Sequence, residues 1–264
     1  MNFEKILSSG FKIIKKQPKV VLPNILSLIP ITFFYLLLLS GLSKFVDLLE
    51  VGGIESLSNL DVLIPLLKSG LRYSIMGIPI FFLWLLIHSF LESLYPSIAW
   101  LAQRGRVSLS KAFSVGYRRM LPLVWTYFLG AIVLFLIFGI AIGLIVGSFF
   151  INRLIGTVLL IPCILASIPL FLCIKMVFWL LPPIVVIKNQ SGINALKTSV
   201  KLIKNNLWET ILIIIILSIV GTVIHAILNK IPAVGFLLSL IAGLFIGTWS
   251  SIVKTIFYLN MRKK

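Results

Sequence analysis

An all-α fold, an integral membrane bundle of six helices, is what this chain predicts, and three observations carry the prediction. Hydrophobic residues make up 59% of its 264 residues, and the mean hydropathy is +1.13. Six runs reach the roughly 20 mostly apolar residues that a spanning helix needs. A short basic amphipathic helix stands before the first, third and fifth of these runs. The chain therefore reads as a single polytopic domain, 1–264, in three repeats of basic interfacial helix plus transmembrane hairpin. The repeat units fall at about 1–101, 102–187 and 188–264.

The clearest of the basic helices is SGINALKTSVKLIKNNLW at 191–208. Ile193, Leu196, Val200, Ile203 and Leu207 step by three and four, so they share one helical face. Lys197, Lys201 and Lys204 fall on its flank. The first basic helix, residues 1–17, sets Phe3, Ile6, Leu7, Gly10, Phe11, Ile13 and Ile14 opposite Lys5, Lys12, Lys15 and Lys16, and Pro18 ends it. The second, 109–120, has Arg104, Arg106, Lys111, Arg118 and Arg119 in or beside it. Spans are predicted at about 20–42, 75–101, 121–149, 156–187, 208–228 and 234–259. Residues 43–74 are the only long connection and carry four of the seven acidic residues, Asp47, Glu50, Glu55 and Asp61. The amino terminus is too long in its apolar run for a cleavable signal, so the first span is expected to stay in the membrane.

The net charge of +17 comes from 24 basic against 7 acidic residues. Basic segments this short form no nucleic-acid-binding domain. Beside apolar runs they point to anionic lipid head groups on the cytoplasmic side, with Lys12, Lys15, Lys16, Arg118, Arg119, Lys197, Lys201 and Lys204 as the contacts. Of the 24 basic residues, 17 lie in the terminal segments and the 102–120 and 188–206 loops, and 5 in the opposite loops. The positive-inside rule then predicts a multi-pass cell-membrane protein with both termini cytoplasmic.

The repeat extends to charge placement. Glu92 in ESLYP, Lys175 in KMVFW and Lys254 in KTIFY each precede an aromatic residue by three positions, near the cytoplasmic half of spans 2, 4 and 6. Superposing Ala112 on Ala195 carries Glu92 onto Lys175. These three are the ionisable residues deepest in the apolar runs, where charges are costly and face a bundle interior or a cavity. A structural ion pair between Glu92 and Lys175 is the leading reading, and a substrate or proton site the alternative. Lys254, near a span end, is expected to snorkel to the head groups. His88 lies one turn from Glu92 on the same face, and Pro96 leaves the Glu92 carbonyl without its helical donor. His225 is expected at the outer interface.

Two small-residue ridges are expected to pack helices: Gly139, Gly143 and Gly147 in span 3, and Gly235, Ser239, Gly243, Gly247 and Ser251 in span 6. A homo-oligomer interface is their alternative use. Cys163 and Cys173 are ten residues apart on one run, about 15 Å along a helix, and cannot pair. No metal-ligand spacing, cofactor fingerprint or catalytic motif is present, so no cofactor, no metal and no enzyme activity are expected.

The segments LSKAFSVGYRRMLPL at 109–123 and PPIVVIKNQSGINALKTSVKLIKNNLW at 182–208, each feeding a long apolar helix, resemble the membrane-domain family of glycerophosphoryl diester phosphodiesterases. That family includes stand-alone polytopic proteins. The soluble catalytic barrel of such enzymes, with its His-Arg-Gly start and metal-binding carboxylates, is absent here. The resemblance therefore implies membrane architecture and a lipid-phosphodiester context only. Two functions are open at this point. One is a transporter or lipid-handling protein with its polar layer at Glu92, Lys175 and Lys254. The other is a non-transporting scaffold that holds anionic lipid or partner proteins through the basic helices.

Overall fold

The computed structural model describes residues 2–29, 32–33, 36, 39, 60–105, 108–151, 153–232 and 234–262. Every regular element among them is helical, with no strand. Among the described residues, five helices are long and apolar enough to cross a membrane, in the windows Phe82–Gln103, Leu109–Ile140, Pro169–Ile187, Leu207–Leu228 and Gly235–Met261. The chain is thus an all-α membrane protein. Residues 30–31, 34–35, 37–38 and 40–42 of the expected first span, 20–42, lie outside the described residues.

Helix α1 spans Phe3–Lys16. The Asn2 side chain accepts from the Lys5 amide at 3.0 Å, satisfying one orphan donor of the first turn. Lys15 and Lys16 suit the negative end of the helix dipole. The helix stops before Pro18, which opens a 3₁₀ stretch, Pro18–Ser27. Helix α2, Leu60–Gln103, begins much earlier than the expected span. Residues 60–74, expected in the long connection, are helical.

Helix α3, Leu109–Ile151, joins the second basic segment to the third run as one 43-residue helix. A separate interfacial helix was expected there. The helix continues through both Gly116 and Pro122. Helix α4, Arg153–Ile187, likewise contains Pro162, Pro169, Pro182 and Pro183. Helix α5, Gly192–Asn205, is entered through two left-handed residues, Asn189 (φ 57°) and Gly192 (φ 60°). Here the break from the next helix is real. Asn206 leaves helical geometry (φ −137°, ψ 41°), and its side chain donates to the Leu202 carbonyl at 3.0 Å. Helices α6, Leu207–Leu228, and α7, Gly235–Met261, form the last hairpin.

The chain divides into two units, Met1–Val21 with Ser89–Lys264, and Leu22–His88. In the first, α3 packs along α4, α5 lies against both, α1 docks on α7, and α7 contacts α6 and α4. Its core is concentrated at one end of these helices. Leu94, Ile98, Leu123, Leu180, Leu181, Ile184, Ile252 and Phe257 are fully buried there, whereas Phe135, Phe236 and Trp208 are about three-quarters exposed (78%, 75% and 74%). In the second unit the His88 ring stacks on Trp84 with centroids 5.1 Å apart.

Candidate functional site: a buried ion pair level with the basic helices

Each basic segment reaches its neighbour through one small residue. A Cβ on Gly116 would lie 3.3 Å from the Leu94 Cα, and Ser93 Oγ donates to the Gly116 carbonyl at 2.7 Å. Ser199 Oγ donates to the Val177 carbonyl at 2.8 Å. A Cβ on Gly10 would lie 2.6 Å from Val253 Cγ2, and the Trp249 indole donates to the Leu7 carbonyl at 3.2 Å. Leu94, Val177 and Val253 are within two residues of Glu92, Lys175 and Lys254. The three charges therefore sit level with the basic segments rather than at the foot of the apolar runs.

Two of the three charges meet. Lys254 Nζ donates to Glu92 Oε2, with the side chains 5% and 17% exposed. This corrects both expectations for these residues. Lys254 does not reach for head groups, and the partner of Glu92 is not Lys175, which is exposed on α4. Helix order explains the choice. The ends of α2 and α7 both enter the core, so their charges face each other, while Lys175 turns outward from α4. The pair is desolvated, and neither charge can return to water without unpacking the core. Above it Thr248 Oγ1 donates to the Tyr95 hydroxyl at 3.3 Å, tying α7 to α2 a second time. On α2, Ser89, Ser93 and Ser97 form a buried column. Ser97 Oγ donates to the Ser93 carbonyl at 3.0 Å, and Ser89 Oγ is buried without a hydrogen-bond partner.

The basic face is best seen on α5. Its buried residues are Gly192, Ala195, Ser199 and Ile203, a row of mostly small side chains packed on α3 and α4. The Gly192 amide donates to Thr126 Oγ1 at 2.8 Å, and its left-handed backbone leaves no strain-free place for a side chain. Part of the apolar stripe is open: Ile193 is 56% and Val200 51% exposed. At 100° per residue the order around the helix is protein-facing row, apolar edge, then Lys204, Lys197 and Lys201. All three lysines are exposed, as are Lys12, Lys15 and Lys16 on α1 and Arg118 on α3. Arg119 is half-buried and donates to Asn189 Oδ1 at the entry to α5. On α1 the buried row is Ile6, Gly10 and Ile14, against α7, while Phe11 is 62% exposed.

The glycine ridges part ways. On α7 the ridge packs on α6: His225 Nδ1 is 2.6 Å from Ser239 Oγ, and a Cβ on Gly243 would lie 3.3 Å from His225 Cε1. His225 is thus a half-buried helix-packing residue, not an interfacial one. On α3, no described atom comes within 4 Å of a Cβ at Gly139, Gly143 or Gly147. Cys163 and Cys173 are free and exposed. Among the described residues no three His, Cys, Asp or Glu side chains gather as metal ligands would.

Sequence reading missed the Tyr95–Thr248 and Trp249–Leu7 links and the role of Ser199. The small residues offered a signal. Gly10, Gly116 and Ser199 each stand seven positions after the helix starts Phe3, Leu109 and Gly192. A family model described as a domain of unknown function (DUF7847) matches residues 1–260. No curated protein and no solved structure matches the chain.

Proposed function

We propose that this chain, which belongs to the DUF7847 family, is a multi-pass cell-membrane scaffold that binds anionic lipid head groups on the cytoplasmic leaflet. The observation that carries the reading is the sectored surface of α5. Ile193 and Val200 form an exposed apolar edge beside an exposed row of Lys197, Lys201 and Lys204. A helix anchored to protein by its third face and lying at the membrane surface puts the first edge among acyl chains and the second among phosphates. The orientation rests on the excess of Lys and Arg in the terminal segments and in the loops at 102–120 and 188–206. The transporter reading draws less support, because Glu92 and Lys254 are joined to each other and Lys175 points elsewhere. The resemblance to phosphodiesterase membrane domains contributes a lipid context and no catalytic step.

A six-span, threefold-repeated bundle fits the same observations. The helix starts at Phe3, Leu109 and Gly192 align Ile6 with Ala112 and Ala195, all buried, and Gly10 with Gly116 and Ser199. Basic segments two and three dock on the span just before them. Segment one docks on α7, which would close three units into a ring about an axis along the membrane normal. The sixth span of this arrangement is 20–42.

Replacing Lys197, Lys201 and Lys204 by Gln tests the lipid reading. Each basic residue near an anionic surface contributes on the order of 1 kcal/mol. The triple variant loses about 3 kcal/mol in all and is therefore expected to bind phosphatidylglycerol about a hundredfold more weakly than the wild type in native mass spectrometry, with unchanged thermal stability. Wild-type retention would mean that these lysines face no lipid.

A further inference from the structure

The exposed charge left over from the Glu92–Lys254 pairing lies beside a groove. Phe138 of α3 and Ser167, Phe171 and Leu172 of α4 line a cleft of about 340 Å³. The walls are apolar apart from the Ser167 hydroxyl. Both helices have apolar windows long enough to cross a membrane, and Phe171 and Leu172 are themselves more than half exposed (62% and 53%). Ser167, Phe171 and Lys175 stand four residues apart, so they form one row along α4. Phe171 and Leu172 lie on either side of the Lys175 direction, at 100° per residue. Lys175 is thus the next residue along the axis of the groove, about 5–6 Å beyond its wall. Its level is also known. Val177, two residues on, bonds α5 through Ser199.

We infer that this groove and Lys175 together bind one anionic phospholipid, an acyl chain lying along Phe138 and Phe171 and the phosphodiester on the Lys175 ammonium. Charge and shape select this occupant. A tail running from Ser167 toward Lys175 ends where α5, with its lysine row, marks the membrane surface, which is where a head group belongs. A second protein copy in the groove would cover Lys175 and would have to supply a carboxylate to it, a costly demand on an apolar interface. Lys175 carries no such cost beside a lipid phosphate, because a long cation with an apolar stem tolerates this depth. The inference shares with the preceding section the placement of α4 across the bilayer and of α5 at its surface, but Lys197, Lys201 and Lys204 make no contact with this lipid.

The test uses the full chain in mixed micelles of phosphatidylglycerol and phosphatidylcholine in equal amounts, washed with detergent and weighed intact by native mass spectrometry. One phosphatidylglycerol is expected to survive the wash on the wild type. Lys175→Gln is expected to lower that occupancy about five- to tenfold, Lys175→Arg to keep it, and Ser167→Phe, which fills the groove, to remove it with Lys175 intact. The Lys197, Lys201 and Lys204 triple variant is expected to keep the single tight lipid while losing the looser ones. Equal retention of the two lipids, or wild-type occupancy in both Lys175→Gln and Ser167→Phe, would overturn the site. So would a dimer that Ser167→Phe converts to monomer, since the groove would then belong to a second copy. Loss of the tight lipid in the triple variant but not in Lys175→Gln would also overturn it, and would leave the basic-helix reading standing.

Discussion

Glu92→Gln and Lys254→Met are each expected to destabilise the detergent-solubilised protein by about 3–5 kcal/mol, and Lys175→Gln to stay within about 0.5 kcal/mol of wild type. The asymmetry follows from burial. Glu92 and Lys254 are joined inside the core with 17% and 5% of their side chains exposed, so removing one strands the other. Lys175 is exposed and strands nothing. The double change Glu92→Gln with Lys254→Met is expected to lose clearly less than the sum of the single losses, because both desolvated charges go together. Thermal unfolding followed by tryptophan fluorescence reads all four proteins. Additive losses would mean that the two side chains do not interact in solution. A large loss at Lys175 would mean that the third charge also belongs to the core.

Gly116→Leu is expected to cost about 1–3 kcal/mol or more. The first added atom meets main chain. It would lie 3.3 Å from the Leu94 Cα and 3.5 Å from its amide nitrogen, so α2 and α3 must separate and the Ser93–Gly116 hydrogen bond must stretch. Gly116→Ala is expected to cost less than Gly116→Leu, since only one carbon must be fitted. Gly139→Leu is the control. With no described atom within 4 Å of its Cβ, it is expected to change the melting temperature little. Equal losses at 116 and 139 would show that α3 is packed along its whole length.

Helical class, the break at Pro18 and the amphipathic rows were readable in the sequence, because each rests on local chemistry. Pro18 follows a short amphipathic helix and ends it, whereas Pro122 and the four prolines of α4 lie inside helices that continue, and a lysine row shows its face by spacing alone. What could not be read depends on azimuth and on neighbours. Sequence position places Glu92, Lys175 and Lys254 at similar depth, but only the order of helices around the core decides that Glu92 faces Lys254. On α5, spacing groups Ile193 and Val200 on one apolar face but does not single out the residues that meet protein. The helix is anchored by Gly192, Ala195 and Ser199, which score as neutral yet allow close backbone approach. The union of 109–120 with the third run failed for a related reason: amphipathic pattern changes there, but no residue forces the backbone to turn. His225 looked interfacial from its place near a span end, and it is the fit of its ring against Ser239 and Gly243 that draws it inward.

The placement of α5 at a membrane surface is tested most directly by depth. A nitroxide attached at Val200, and separately at Lys201, in the full chain lacking Cys163 and Cys173, can be read in phosphatidylglycerol-containing bilayers by collision with oxygen and with a water-soluble nickel chelate. Val200 is expected to collide chiefly with oxygen, as an edge among acyl chains must, and Lys201 chiefly with nickel. Equal nickel accessibility at the two positions would put the whole outer face of α5 in water and contradict the lipid-binding reading.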